Sequence, residues 1–353
     1  MLKKINVLVV SAYKYGNAGD DICALSTKYA ISKAATTIGK IEITSPPIAQ
    51  NLLKDKTVVV LGGGGLIYDT DKANVKNYMD YFKFAEPRTI KAAISMGVQG
   101  IASDYGREQY KKYLSKLDVL SVRSESDKAL LNEIGINNAV TTQDIAFLAD
   151  NWLPKWSSPR KYLYRKRKPI IGLSLVDLKK VKGESFKKFI SNFEKIIDDF
   201  INRNNDKYDF WFLQHSGDDK GYIDRLKSKH KITVINYKSP KDISKLWWAY
   251  KQVDYVIGVR FHSIILAILA KKPILPIGSK GGKQYRLCMA DDKVLKKQYV
   301  DLNQLDDLKR KLSLFSDPAV RLEAAETSKV KELQILAEKN VDLLKAALRG
   351  ANK

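Results

Sequence analysis

Short apolar runs alternate with amphipathic stretches along almost the whole of this 353-residue chain, and no other property narrows its fold as much. INVLVV (5–10), KIEITS (40–45), TVVVLGG (57–63), TIKAAISMG (89–97), DVLSV (118–122) and AVTTQD (139–144) read as strands. Helical stretches fall between them, over about Asp20–Thr37, 74–84, 104–116 and a segment capped by Ser124 and stopped at Gly135. A second series follows: PIIGLSLV (169–176), YDFWFLQ (208–214), KITVINY (231–237), YVIGV (255–259) and PILPIG (273–278). Its helices run to about Asn202, near 219–229, over Ser239–Tyr250 and up to Lys271. Strand–helix alternation of this kind implies parallel sheets joined by right-handed crossovers.

The chain is therefore expected to be α/β, with two Rossmann-like domains whose parallel sheets face a cleft. The boundaries expected are 1–155 for the first domain, 156–168 for a basic linker, 169–316 for the second domain and 317–353 for a helical tail. In open parallel sheets ligands bind beyond the carboxyl ends of the strands, so the residues just after each strand are the ones to read.

Sixty-two Lys and Arg against 39 Asp and Glu give a formal charge of +23. A surplus of that size attracts phosphorylated ligands, anionic membrane surfaces or nucleic acid, although lysines on the polar faces of helices account for part of it. No nucleic-acid-binding motif is present, so no nucleic-acid partner is expected. Two cysteines allow at most one disulfide, and Cys23 reads as a small core residue in a helix. Three scattered histidines and no paired cysteines give no metal-binding spacing. The apolar run at the start is shorter than a signal peptide needs, and no window approaches the roughly 18 apolar residues of a membrane span. A cytoplasmic protein is expected, with the cluster Arg160, Lys161, Arg165 and Arg167 available to the inner membrane face.

After the first strand come Gly16, Asn17, Gly19, Asp20 and Asp21. Two glycines and a helix start suit an anion, while either aspartate can equally cap the helix. Gly62, Gly63, Gly64 and Gly65 follow TVVVL; they let backbone approach a ligand or pack tightly on a neighbouring strand. Arg123 follows DVLSV and can grip a carboxylate or phosphate with its fork, or pair with Glu125 or Asp127. Asp144 can position a cation or an arginine, or cap the next turn. In the second half His215 faces the cleft or bonds a helix start, and His230, among lysines, reads as solvated surface.

Arg260 and His262 sit between the strand YVIGV and the wholly apolar helix SIILAILA. An imidazole on a rigid helix start is a good general base, and the arginine at the same strand end favours that role over a buried core histidine. Beyond PILPI, Lys280, Gly281, Gly282 and Lys283 form another glycine- and lysine-bearing strand end suited to an anion.

Together GNAGDD, LGGGGLIYD, SVRSESDKALL, QDIAFL and GVRFHSIILAILAKKP, followed by the lysine-bearing loop, resemble the polysaccharide pyruvyl transferases, over residues 5 to about 290. The resemblance implies a GT-B-like fold whose C-terminal helix returns to the first domain. It implies a reaction in which the pyruvyl group of phosphoenolpyruvate is moved onto two hydroxyls of a sugar as a cyclic ketal, with release of phosphate. No other cofactor is implied. By the resemblance His262 is the proton-transfer residue, Arg123 a donor-binding arginine, Asp20 an acceptor contact, and Lys280 or Lys283 the site lysine. The tyrosine and aspartate usual near that lysine are replaced here by Gly278-Ser279 and Gly281-Gly282. The implied acceptor is a glycan or a lipid-diphosphate-linked sugar, and a homo-oligomer is compatible with the chain. Two other readings fit parts of the sequence: a nucleotide-sugar glycosyltransferase on the same scaffold, and a non-catalytic polyanion-binding protein.

Overall fold

The structure is a computed structural model that describes residues 4–35, 37–155, 168–182, 186–290, 293–316 and 322–350. Of the basic linker only Lys168 lies among them, so the cluster at 160–167 is outside the described residues. The chain forms two compact units. The first comprises 1–15, 19–152 and 331–353; the second comprises 16–18 and 153–330.

In the first unit the strands are β1 (Ile5–Val10), β2 (Ile38–Thr44), β3 (Val58–Tyr68), β4 (Ile90–Gly100), β5 (Val119–Val122) and β6 (Val140–Thr141). They form one six-stranded sheet in the order β2-β1-β3-β4-β5-β6, parallel throughout. Helices α1 (Ala18–Ala34), α2 (Lys72–Met79), α3 (Asp104–Leu114) and α4 (Glu125–Glu133) fill the crossovers. The strands are nearly continuous runs of Val, Ile, Leu and Ala because both faces of a parallel sheet are covered. Leu8, Val10, Val59, Leu61, Ala93 and Leu120 are accordingly buried in one core. Ser124 caps α4 by accepting from the Asp127 amide, as its position before the helix predicts.

In the second unit β7 (Ile170–Ser174), β8 (Asp209–Leu213), β9 (Thr233–Ile235), β10 (Tyr255–Gly258), β11 (Ile274–Gly278) and β12 (Val300–Asp301) form a second parallel sheet, ordered β12-β11-β10-β7-β8-β9. Its helices are α5 (Leu178–Lys182), α6 (Lys187–Asn204), α7 (Lys220–Lys227), α8 (Ile243–Gln252), α9 (Phe261–Leu269), α10 (Lys283–Met289), α11 (Lys293–Gln298) and α12 (Leu305–Ser313). Strand order reverses between β7 and β10, which is where ligands bind in sheets of this kind. In the first unit the reversal lies between β1 and β3.

The chain ends in α13 (Thr327–Gly350), most of which belongs to the first unit. Asn340 anchors it there. Its Oδ1 accepts from Ser121 Oγ at 2.6 Å and lies 3.2 Å from Thr142 Oγ1. Its Nδ2 donates to the carbonyls of Ala337 and Gln143. Asn340 is fully buried, and pairing of all its polar atoms is what makes that burial tolerable.

Two local expectations are corrected, and one stretch carried none. TVVVLGG continues as β3 to Tyr68, so the four glycines lie inside a strand rather than in a turn after it. The long helix after β7 is broken into α5 and α6. Among the described residues between Lys283 and Ser313 there are three further helices and β12, elements too short to show a clear period.

Candidate active site

At the reversal point of the second unit the carboxyl ends of β7, β8 and β10 come together. The end of β10 leads directly into α9, with Arg260 at the N-cap. Ser263 folds back on that join: its amide and its hydroxyl both donate to the Arg260 carbonyl, at 3.0 and 2.6 Å. Gly258 is required here, because a Cβ would lie 2.5 Å from Ser263 Oγ. Helix α9 is buried on every side from Ser263 to Leu269, so the join is held rigidly. His262, in the first turn, is half-buried.

The Arg260 guanidinium donates to Asp219 Oδ1 at 2.5 Å. Asp219 is buried and its other oxygen accepts from the amides of Ser216 and His215, at 3.1 and 3.4 Å. Burial pushes the Asp219 carboxyl above its ordinary range, while Arg260 and the two amides oppose that shift.

His215 is 1% exposed, and its Nε2 lies 2.8 Å from the Tyr250 hydroxyl. Burial first, and then Arg260 and the neighbouring His262, hold this imidazole well below its ordinary pKa, so it is neutral near pH 7. A buried polar layer thus lies beneath the residues that follow β10. Of the two histidine alternatives, His215 belongs to this layer, and its carbonyl accepts from the Ala18 amide at 2.8 Å.

Gly16 and Asn17 meet the same strand end. Asn17 bridges Ser216, and the Gly217 amide donates to the Gly16 carbonyl. The first loop is therefore pinned here by main-chain bonds. Of the two candidate lysines, Lys280 is exposed, whereas Lys283 is half-buried with Nζ 5.7 Å from the centre of the Phe261 ring. Gly281 has φ +75° and Gly282 is the N-cap of α10.

In the first unit, Asp21 is buried and accepts from the Lys14 amide at 2.6 Å, closing the loop before α1. Gly19 and the half-buried Asp20 stand in the first turn of α1. Two of the four β3 glycines are explained by packing. A Cβ at Gly62 would lie 2.8 Å from the Thr27 side chain and at Gly63 2.7 Å from Ile145, whereas at Gly65 it would meet only the end of the exposed Gln99 side chain. Gly64 differs: its φ of +108° is one that side chains avoid, and its nearest neighbour would be Asp20 Oδ1 at 3.8 Å.

Arg123 is buried, and a Cβ at Gly97 would collide with its guanidinium. It pairs with Asp144 at 3.2 Å and with Asp127 at 3.8 Å, so of the two expected partners Asp127 is present and Asp144 is an additional one. Asp144 both positions this arginine and caps the turn after it, accepting from the Ala146 amide. It also accepts from the buried Cys23 thiol at 3.7 Å. His230 is corrected: only 4% of its side chain is exposed, and it lies 2.9 Å from Asp198.

Asp219 and Tyr250 are site residues that strand-end reading passes over. Ser216 and Asp219 have the spacing of a capping box, and the structure contains that box. Tyr250 lies near the end of α8, the helix before β10, rather than after a strand, and carries no such signal.

Two parallel six-stranded sheets with interleaved helices define a class, the proteins of GT-B-like fold. A UDP-GlcNAc 2-epimerase from Methanocaldococcus jannaschii, solved with UDP-GlcNAc and UDP, shares the fold at TM-score 0.57 and 14% identity, over 95% of this chain and 99% of that one. S. aureus MnaA, solved with UDP, matches at 0.56 and 11%, over 90% of each chain. Anabaena HepE, solved with UDP and glucose, matches at 0.56 and 11%, over 99% of each. No curated protein matches the chain by sequence. The family model for polysaccharide pyruvyl transferases matches residues 17–281, and the chain belongs to that family.

Proposed function

We propose that the protein transfers the pyruvyl group of phosphoenolpyruvate to two hydroxyls of one sugar in a glycan or lipid-linked acceptor. Both hydroxyl oxygens bond to C2 of the donor, and the C2–O bond to phosphate breaks. Of the two hydroxyl protons, one ends on the methylene carbon, making it methyl, and the other leaves with phosphate. Arg260 and Lys283 hold the donor's carboxylate and phosphate, since cationic forks and ammonium groups suit those anions. His262 moves the proton between hydroxyl and carbon. Arg123 is a second donor contact by the family resemblance, its guanidinium fixed by two carboxylates. Asp20, in the first turn of α1, takes the acceptor.

The observation that carries this reading is the position of Arg260 and His262, at the end of the central strand β10 beside the strand-order reversal, in a chain of this family. The +23 charge suits a phosphate-bearing donor and a diphosphate-linked acceptor. The solved relatives carry UDP or UDP sugars, so those are the comparison ligands. Phosphoenolpyruvate is expected to raise the melting temperature, with UDP- and GDP-sugars giving no comparable shift. The reverse pattern would favour a nucleotide-sugar enzyme instead.

A further inference from the structure

We propose that Asp219 is a positioning residue for the donor site, acting through Arg260. The inference rests on the reaction proposed above. The carboxylate divides its two oxygens between two tasks. Oδ1 takes Arg260 Nη2 at 2.5 Å, and Oδ2 takes the amides of Ser216 and His215 at the end of β8. One buried side chain thereby ties the ends of β8 and β10 together and sets the direction of the guanidinium. Arg260 is held from its other end as well, since its carbonyl is fixed by Ser263.

Arg260 is not saturated by Asp219. About a quarter of its side chain is open, at 23% exposure. Its Nε–H is buried with no hydrogen-bond partner among the described residues. A buried donor without an acceptor is costly to leave unmade, and a ligand oxygen is the acceptor that the site's chemistry supplies. An arginine fixed on one edge and open elsewhere is pre-organised for an anion, which reduces the ordering cost of binding.

Asparagine at position 219 has the same shape but cannot do both tasks. Its carbonyl oxygen can serve Arg260 or the two amides, and its NH2 then faces a donor. The test is calorimetric titration of the full chain with phosphoenolpyruvate. Asp219→Asn is expected to weaken binding about tenfold or more, and in an Arg260→Gln background to weaken it by less than about twofold, because the effect passes through Arg260. Asp219→Glu keeps the charge but displaces it by one methylene, and its affinity should fall between wild type and Asp219→Asn; it serves if Asp219→Asn does not fold. A merely structural role would lower the melting temperature of both backgrounds and leave the dissociation constant of the folded protein unchanged. Wild-type affinity in Asp219→Asn or Asp219→Glu, or an equal loss in both backgrounds, overturns the inference. Absence of phosphoenolpyruvate binding by the wild type overturns the reaction and this inference together, whereas binding by the wild type with unaltered variants overturns this inference alone.

Discussion

Arg123 Nη1 lies 3.2 Å from Asp144 Oδ2, with both side chains buried and Asp127 closing on Nε at 3.8 Å. Three charges share one interior site, and they tolerate burial only as a set. Arg123→Gln leaves two buried carboxylates without their cation, so stability should fall by about 3–5 kcal/mol. Urea unfolding measures it; a loss below about 1 kcal/mol would mean that the ion pair contributes little to the fold.

Ser121 and Asn340 are 219 residues apart and share a 2.6 Å hydrogen bond. The Ser121 hydroxyl also accepts from the Ser95 amide at 2.8 Å, so the tail is wired into β4 through β5. Asn340→Leu would strand the Ser121 proton in the interior, while the Gln143 carbonyl keeps the Ser95 hydroxyl as a donor. The expected cost is about 1–3 kcal/mol, with faster amide exchange in β5. Unchanged protection there would show that the tail docks independently of Asn340.

The β3 glycines separate packing from backbone effects. Gly63→Ala places a methyl 2.7 Å from Ile145 and 3.1 Å from Cys23 on a backbone at φ +41°. Overpacking and strain together should cost about 2–4 kcal/mol. Gly16→Ala, at φ +75° with nothing within 4 Å, carries the strain alone and should cost about 1–2 kcal/mol. Thermal melts of the two variants compare them directly, and equal losses would contradict the packing explanation.

His215 gives the fold a specific pH dependence. In the unfolded chain its imidazole takes a proton near pH 6.5, while in the folded chain burial, Arg260 and His262 keep it neutral to well below that. The unfolded state therefore binds more protons as pH falls below about 6.5, and it gains by up to about 1.4 kcal/mol per pH unit from this group. The stability loss between pH 7 and pH 5 should be smaller in His215→Gln than in wild type. Parallel curves would mean that His215 titrates alike in both states.

The architecture was legible because parallel βαβ units write themselves as short apolar runs between amphipathic helices. Arg260, Arg123 and Asp144 were legible as polar residues directly after such runs. What stayed hidden depends on contacts distant in sequence. Nothing near Gly62 and Gly63 indicates that Thr27 and Ile145 occupy the space a Cβ would need. Nothing near His230 indicates that Asp198 covers it. Asn340 is one polar residue on a mostly polar helix until Ser121 and Thr142 surround it. Between Lys283 and Ser313, elements of two to nine residues give periodicity too few positions to register.

The most direct test of the proposed reaction is phosphate release from phosphoenolpyruvate, with a cell-lysate glycan fraction as acceptor. Wild-type protein should release phosphate only when both are present. His262→Ala should slow release by about 100-fold or more, the range of a lost general acid–base, while retaining phosphoenolpyruvate binding. Equal release by wild type and His262→Ala would contradict the account at its centre.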